Sequence, residues 1–284
     1  MAVSNIKSRY LTQKVAMVIL AISVLLVVVP VIAIIIYMVV NGYSALGWEF
    51  LIGFPTEGGK SGGILPAILG TVYLMLGTIL LALPVGVLAG IYLGEYTRDN
   101  WLTRIINMAI INLAGVPSVV FGLFGLAVFV LGLQLGMSLL AASLTLAAQA
   151  LAMTITTSRE AIMAVPKKYR EGSLAIGVSK WQTIRHVVLP QASPGILTGA
   201  ILAMSRAAGE TAPIIVVGAA FLVGALPGSP FDRFMALPYH LYTVSAHIPG
   251  MPEDMKWGVA LVLIVMVLFF NTLVGIVRMK ARKR

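Results

Sequence analysis

Six long apolar segments, separated by short polar ones, dominate the sequence. A helix needs about 20 apolar residues to cross the roughly 30 Å hydrocarbon core of a bilayer. The second, third and fifth segments contain Gly and Pro, which neighbouring helices accommodate within a membrane bundle. The pattern predicts an all-α polytopic membrane protein with six transmembrane helices inside residues 15–277. The predicted spans are 15–40, 65–93, 105–131, 137–157, 194–223 and 257–277.

Lys and Arg are distributed unequally between the two sides of this topology. Of the 20 Lys and Arg residues, 16 lie in the N-terminus, the second and fourth loops and the C-terminus, which all fall on one side. Three lie on the other side. The positive-inside rule places the basic side in the cytoplasm. We therefore expect a cytoplasmic N-terminus, residues 1–14, and a basic cytoplasmic C-terminus, residues 278–284.

Composition favours lipid over water as the main solvent. The chain is 59% hydrophobic and 11% charged, whereas soluble domains are about 45–50% apolar and about 25% charged. The net charge of +10 is explained by the loops that orient the spans, so nucleic-acid binding is not expected. Cysteine is absent and the three histidines form no metal-binding spacing, so neither a disulfide nor a metal site is expected.

One outer loop imitates a nucleotide-binding motif. The stretch EGGKSGG at 57–63 ends like the phosphate-binding loop G-x-x-x-x-G-K-[ST], but Phe54 stands where the first glycine belongs. No buried strand precedes it, and the topology places it outside, away from ATP. We therefore expect that the chain itself hydrolyses nothing. Aromatic residues in a second outer segment, 224–256, predict a short interfacial helix.

The longest inner loop, residues 159–195, has helical patterning of its own. Pro166 suits the first turn of a helix, where its missing N–H costs nothing. The following stretch KKYREGSLAI is amphipathic, Gly177 supplies a turn, and Ser179 with Gln182 fits a capping box that opens a second short helix. Two further prolines then start the fifth span. The pattern predicts a helix–turn–helix at the membrane surface; the alternative is a solvated basic loop that only fixes topology.

The same loop resembles the EAA signature of ABC importer permeases. That signature reads E-A-A, three residues, G, nine residues, I, any residue, L-P, and the loop matches the spacing at every step. Small or conservative replacements occur at both alanines and at the isoleucine. The matching residues are Glu171, Gly172, Ser173, Gly177, Val187, Leu189 and Pro190.

This resemblance implies the type I ABC importer permease fold. In that family the loop is a coupling helix, which docks into a groove on the ATP-hydrolysing subunit. Glu171 would make a docking or helix-capping contact, and Gly177 would form the turn where no side chain fits. A short rigid helix can transmit a rigid-body movement of the ATPase into the spans.

A charged pair lies inside the fifth apolar segment. Arg206 and Glu210 are four residues apart, so they share one face of a helix and can pair. A charge at the bilayer centre costs about 2.5–3.5 kcal/mol on insertion scales, and such residues usually face the bundle interior or a water-filled path. Two interpretations stay open: an inert ion pair that locks the helix, or a translocation site for an anion.

The chemistry of both side chains suits an anion site. The Arg206 guanidinium presents a fork of donors that matches phosphate oxygens. The Glu210 carboxylate would accept a hydrogen bond from a protonated phosphate oxygen and would limit the affinity, and weak binding suits release. Thr211 follows the pair directly, and we count it with them as a candidate pathway residue.

A helix break is predicted in the third segment at a matching depth. Counted from the basic-side ends of their segments, Pro117 and Arg206 are each 12 residues in, roughly 18 Å at 1.5 Å per residue. A helix interrupted at Gly115 and Pro117 could present free backbone N–H groups, from Ser118 onward, to an anion. The alternative is a simple kink.

Three stretches make the resemblance specific to PstA, the phosphate-specific transport permease family. They are AGVPSVVFGLFGL (114–126), SKWQTIRHVVLPQASPGILTG (179–199) and SRAAGETAP (205–213). The resemblance runs from about Leu65 to the C-terminus. The partner permease PstC shares the R-x-x-G-E element but follows it with Thr-Met, so Thr211, Ala212 and Pro213 favour PstA. A PstC-type permease is kept as an alternative.

The resemblance implies an inner-membrane importer of inorganic phosphate. Its parts would be two permeases, PstA with PstC, two copies of the ATPase PstB, and an extracytoplasmic phosphate-binding protein, PstS. ATP and Mg would bind the ATPase, and this chain would carry no cofactor. Competing interpretations are a permease for another oxyanion, such as molybdate or sulfate, an ion-driven secondary transporter, and a non-transporting membrane anchor. Secondary transporters commonly show inverted repeats, and no convincing repeat is visible.

Overall fold

Helices account for most of the described chain. The structure is a computed structural model that describes residues 2–282, with side chains described for 9–280. The all-α prediction is confirmed for this part, and the strands are the short pair β1 Pro55–Thr56 and β2 Ser61–Gly62. The helices are α1 Ala2–Gly42, α2 Trp48–Ile52, α3 Leu65–Ile91, α4 Trp101–Ala114, α5 Ser118–Gly125, α6 Leu139–Met163, α7 Lys167–Ala175, α8 Lys180–Thr183, α9 Leu189–Gly209, α10 Ala212–Val217, α11 Leu237–Ala246 and α12 Glu253–Arg282.

Helical turns with π geometry extend three of these helices. They lie at Tyr92–Tyr96 after α3, Leu126–Gly132 after α5 and Ile184–Val188 between α8 and α9. We call the end of the bundle that carries β1 and β2 the hairpin end. The opposite end, which carries α7 and α8, is the loop end. Met1, Lys283 and Arg284, which belong to the predicted cytoplasmic termini, lie outside the described residues.

Within the described residues, five helices are long and apolar enough to span a bilayer. The predicted first, second and sixth spans each lie in one of them, and the predicted fourth span, 137–157, starts two residues before one of them. Most described side chains of the first helix, α1, are exposed and apolar, as expected where a helix faces lipid. The five spans are Arg9–Ala45, Leu65–Tyr96, Leu139–Met163, Lys180–Gly209 and Glu253–Lys280.

The third predicted span is not one straight helix. Helix α4 ends at Ala114, α5 begins at Ser118, and the two axes differ by 103°. Pro117 causes the break because it has no N–H to donate to the preceding turn. Its ring also disfavours the helical conformation at Val116, the residue before it. The break falls at Gly115 and Pro117, where the sequence predicts an interruption within the span 105–131.

The direction of α3 and α6 shows that the bent pair still crosses the bundle. A Cβ added to Gly77 would lie 3.0 Å from the Cβ of Ser143, and one added to Gly90 would lie 2.7 Å from the Cβ of Ser158. The two helices therefore run parallel, and both start at the hairpin end. The chain between them must return from the loop end to the hairpin end. The pair α4–α5 is thus a broken span and not a re-entrant loop.

The fifth predicted span, 194–223, is wrong at both ends. The helix begins at Lys180 and continues through the π turn into α9. Pro190 does not begin a new helix. In the π turn before it, the N–H of Leu189 donates to the carbonyl of Ile184, five residues back, and the helix continues through Pro190. After α9 ends, only the short α10 follows. Residues 218–236 then form irregular chain rich in Gly and Pro, which disfavour a continued helix.

The hairpin end is closed by packing between irregular segments. The ring of Phe221 stacks on His240 of α11 at 5.5 Å, and Gly59 of the outer loop lies against the same Phe221 ring. Burial lowers the pKa of His240 to about 4, so this histidine is neutral at pH 7.

The predicted short helix in 224–256 is α11. The stretch EGGKSGG forms the turn after β1 together with β2 itself, not a strand-to-helix phosphate loop.

Close packing at Gly70 gives a stability prediction. Gly70 of α3 lies against the backbone carbonyl of Met235, and an added Cβ would overlap that oxygen. Because a backbone atom cannot rotate away, we expect Gly70→Ala to destabilise the protein by about 1–3 kcal/mol, the usual cost of overpacking. Thermal unfolding of the purified protein measures this.

Gly275→Ala is the matched control. Gly275 lies in α12 with nothing within 4 Å of an added Cβ. Alanine there should leave the melting temperature unchanged or raise it, because glycine costs roughly 0.5–1 kcal/mol relative to alanine inside a helix. Equal melting temperatures for both variants would contradict the close approach at Gly70.

Candidate translocation site and coupling loop

Arg206 and Glu210 form an ion pair at the end of α9. The Arg206 Nε lies 3.1 Å from the Glu210 Oε1. Arg206 occupies the last turn of the helix, where its positive charge interacts favourably with the negative end of the helix dipole. Glu210 is the next residue past the helix and has an extended backbone. The predicted pair therefore forms at a break in the span, not in the middle of a continuous helix. The Arg206 side chain is 39% exposed and the Glu210 side chain 15% exposed.

Gln149 of α6 completes a polar cluster that sequence reasoning missed. Its side-chain Nε2 donates to the Glu210 Oε1 at 2.5 Å. Gln149 is buried, and its own Oε1 has no hydrogen-bond partner within the described chain. A buried acceptor without a donor destabilises the fold, so a ligand that donates a hydrogen bond to it would bind favourably. The signal in the sequence was a lone amide inside an apolar span, where polar residues usually carry function.

Both helix breaks lie at the level of this cluster. Gln149 is ten residues into the 25-residue α6, about 15 Å from its start and near its middle. Val116 and Val120, on either side of the first break, line an apolar cavity together with Leu151, two residues from Gln149. The second break contains Glu210 itself. The two breaks and the charged pair therefore share one depth in the bundle.

The half-helices after the two breaks pack against each other. A Cβ added to Gly122 of α5 would lie 2.9 Å from the Cα of Pro213 in α10. Ser118 is the first residue of α5 and Thr211 immediately precedes α10; both are partly buried. The structure thus brings the four candidate pathway residues to two neighbouring breaks. No hydrogen bond joins Ser118 or Thr211 to the charged pair within the described chain.

Little space lies between the three side chains of the cluster. The cavity beside Arg206, Glu210 and Gln149 measures about 10 Å³, which is about the space of one water molecule. An oxyanion therefore does not fit inside this cavity, although part of the Arg206 side chain stays exposed. The arrangement can present a guanidinium, a carboxylate and an amide oxygen to a substrate once the breaks separate.

The loop 159–195 folds as two short helices joined by a tight turn. Helix α7 ends at Ala175, and Gly177 has φ +83°, a conformation that favours glycine. The capping box predicted between Ser179 and Gln182 is confirmed. Ser173 and Thr183 share a hydrogen bond of 2.9 Å that ties α7 to the last residue of α8.

The matched EAA residues take two kinds of position. Glu171 and Gly172 are exposed on α7, and nothing lies within 4 Å of a Cβ added to Gly172. Leu189 begins α9 and packs partly buried at the loop end, while Pro190 is exposed. The carboxylate of Glu171 makes no cap or ion pair within the described residues.

An ion pair that the sequence did not reveal holds this loop to α3. Arg170 reaches Glu95 in the π turn after α3 at 2.7 Å, and these side chains are only 18% and 9% exposed. Arg170 also donates to the carbonyls of Val165 and Ile162. Lys180 donates to the Glu95 carbonyl at 2.6 Å. The loop, α3 and α6 are therefore joined at the loop end.

Comparison with known proteins decides the family. Residues 86–280 match the family described as binding-protein-dependent transport system inner membrane component. The chain belongs to this family. The matched region contains both helix breaks, the Arg206–Glu210–Gln149 cluster and the loop 159–195. The protein is therefore a permease subunit of an ABC importer and a multi-pass inner-membrane protein.

Relatives and a solved structure agree with this assignment. The probable ABC transporter permease protein YqgI of Bacillus subtilis is 32% identical over 248 residues, covering 83% of this chain and 84% of the relative. The probable phosphate transport system permease protein PstA of Methanocaldococcus jannaschii is 32% identical over 263 residues, covering 92% and 91%. An inward-facing structure of the MetNI methionine ABC transporter superposes with a TM-score of 0.60 at 19% identity, covering 77% of this chain and 94% of that chain. This ABC importer permease has the type I fold.

Proposed function

We propose that this permease forms half of the path by which inorganic phosphate is imported, as a PstA-type subunit. The observation that carries the proposal is the Arg206–Glu210–Gln149 cluster, which lies near mid-depth where two spans break. Charged side chains at this depth usually face the bundle interior or a water-filled path. The relatives named as phosphate permeases support the same cargo.

The cluster offers complementary chemistry to phosphate. The Arg206 guanidinium would bind the anionic oxygens. Phosphate keeps a proton at neutral pH, and its O–H could donate to the unpartnered Gln149 Oε1 or to the Glu210 carboxylate. Sulfate carries no proton at this pH, so the same carboxylate would repel it. The charged pair would exchange its internal bond for bonds to the substrate, which keeps binding weak enough for release.

The loop 159–195 is the proposed contact with the ATPase. The loop end would lie in the cytoplasm, as the distribution of Lys and Arg indicates. There, the exposed Glu171 and Gly172 would meet a PstB-type subunit that binds ATP and Mg. The Arg170–Glu95 pair would carry its movement into α3. A PstC-type permease would supply the other half of the path, and a PstS-type protein would deliver phosphate at the hairpin end.

Uptake of radiolabelled phosphate into cells that lack this chain tests the proposal. We expect uptake to be lost and then restored by the wild-type gene. Unlabelled arsenate, which is also protonated at neutral pH, should compete, whereas sulfate and molybdate should not. Molybdate or sulfate uptake that needs this chain, with phosphate uptake unaffected, would identify a permease for another oxyanion and contradict the proposal.

A further inference from the structure

A second cavity lies at the loop end, between α4 and α6. It measures about 240 Å³ and is separate from the Arg206 cluster. Its walls are mainly apolar, formed by Ile110 and Ile111 of α4 and Ile155 of α6. Arg159 of α6 also lines it, as does Asn107 of α4. The cavity therefore combines mainly apolar walls with one cationic group. The mechanism proposed above assigns no role to this cavity.

The guanidinium of Arg159 is incompletely satisfied. Its Nη1 donates to the Asn107 Oδ1 at 3.1 Å, but its Nε is buried without a hydrogen-bond partner within the described chain. Arg159 also makes no ion pair with any described residue. Glu160 lines the same cavity, yet it is exposed and lies beyond ion-pair distance of Arg159. A partly buried and unpaired cation is costly, so an anionic partner would stabilise it.

We propose that this cavity binds a phosphate-bearing anion, with the phosphate group on Arg159 and Asn107. A phosphate oxygen would accept from the free Arg159 Nε, and bidentate binding is the usual mode for a guanidinium. Two sources share this chemistry: the head group of an anionic phospholipid and free inorganic phosphate. The isoleucines in the walls suit the first part of an acyl chain, although Thr156 and Glu160 also line the cavity. Basic pockets between membrane helices bind anionic head groups in this way.

Lipid nanodiscs containing the assembled transporter test the phospholipid arm. Bound phosphatidylglycerol is counted by native mass spectrometry as its fraction rises in a phosphatidylcholine background. We expect Arg159→Gln to weaken phosphatidylglycerol binding at least about tenfold, because a charge-assisted bond to phosphate is lost. Arg159→Lys keeps the charge without the fork and should lose less. Arg98→Gln, which removes an exposed arginine at the same end, is the matched control and should bind as wild type.

Nanodiscs of phosphatidylcholine alone test the second source. Thermal unfolding of the transporter is followed as inorganic phosphate is titrated. An Arg159-dependent rise in melting temperature would support free phosphate as the occupant. The proposal is overturned if neither anion distinguishes Arg159→Gln from wild type, or if Arg98→Gln has the same effect as Arg159→Gln. Because both readouts measure binding, the result is independent of whether the cargo of the transporter is phosphate.

Discussion

Replacing Arg206 with alanine is expected to abolish phosphate uptake while the transporter complex still assembles. The substitution removes the guanidinium that pairs with Glu210 and leaves that carboxylate bound to Gln149 alone. A negative group without its counterion would then repel an incoming anion. We expect uptake to fall more than tenfold, since a charge-assisted hydrogen bond is worth about 1.5–3 kcal/mol and 1.4 kcal/mol is a factor of ten.

Radiolabelled phosphate uptake, with co-purification of the subunits as the assembly check, measures this effect. Arg206→Lys should keep part of the uptake, because it retains the charge but not the fork of donors. Arg104→Ala is the matched control: Arg104 also pairs with a carboxylate, Asp99, but both side chains are more than two-thirds exposed. Surface pairs contribute little, so this control should transport normally. Normal uptake by Arg206→Ala in an assembled complex would show that the pair is only structural.

Gln149→Leu tests the role of the Gln149 side-chain amide independently of the charged pair. Leucine fills a similar volume but offers no acceptor to a protonated phosphate oxygen. If the unpartnered Gln149 Oε1 contacts substrate, this variant should weaken phosphate uptake and leave the Arg206–Glu210 pair intact. Unchanged phosphate uptake, together with unchanged exclusion of sulfate, would limit the substrate site to the charged pair.

Reversing the charge of Arg170 is expected to uncouple ATP hydrolysis from transport. Arg170→Glu would place two carboxylates together where Glu95 now has a counterion, in a largely buried position. Breaking a buried pair by removing one partner costs about 3–5 kcal/mol. The loop that carries α7 would then separate from α3, so a movement at the loop would no longer reach the spans. The ratio of phosphate transported to ATP hydrolysed should fall severalfold.

The double variant Glu95→Arg with Arg170→Glu tests the pairing itself. It restores opposite charges and should recover part of the coupling ratio. Full recovery is not expected, because Arg170 also donates to two backbone carbonyls that a glutamate cannot bond. Lys256→Glu is the control, since Lys256 pairs with the exposed Glu253 at the hairpin end. If the double variant couples no better than Arg170→Glu alone, the pair does not transmit movement.

Features that depend on neighbours along the chain could be predicted from the sequence. Apolar length predicted where the chain spans the membrane, because a helix in lipid must satisfy its own backbone. The capping box of Ser179 and Gln182 joins residues three apart, so its pattern can be read directly. The placement of Gly115 and Pro117 in a break follows from the local sterics of proline. The spacing of the EAA residues led to the family in the same way.

Contacts between residues far apart in the chain could not be predicted in this way. Gln149 meets Glu210 across 61 residues, and Arg170 meets Glu95 across 75, so no local periodicity connects either pair. The 103° turn at the first break depends on how α5 packs against α10 and α6. The fifth span ends at Gly209 although apolar residues continue beyond it. Hydropathy measures only how well a segment tolerates lipid, whereas packing between distant segments sets where a helix bends and which buried polar groups meet.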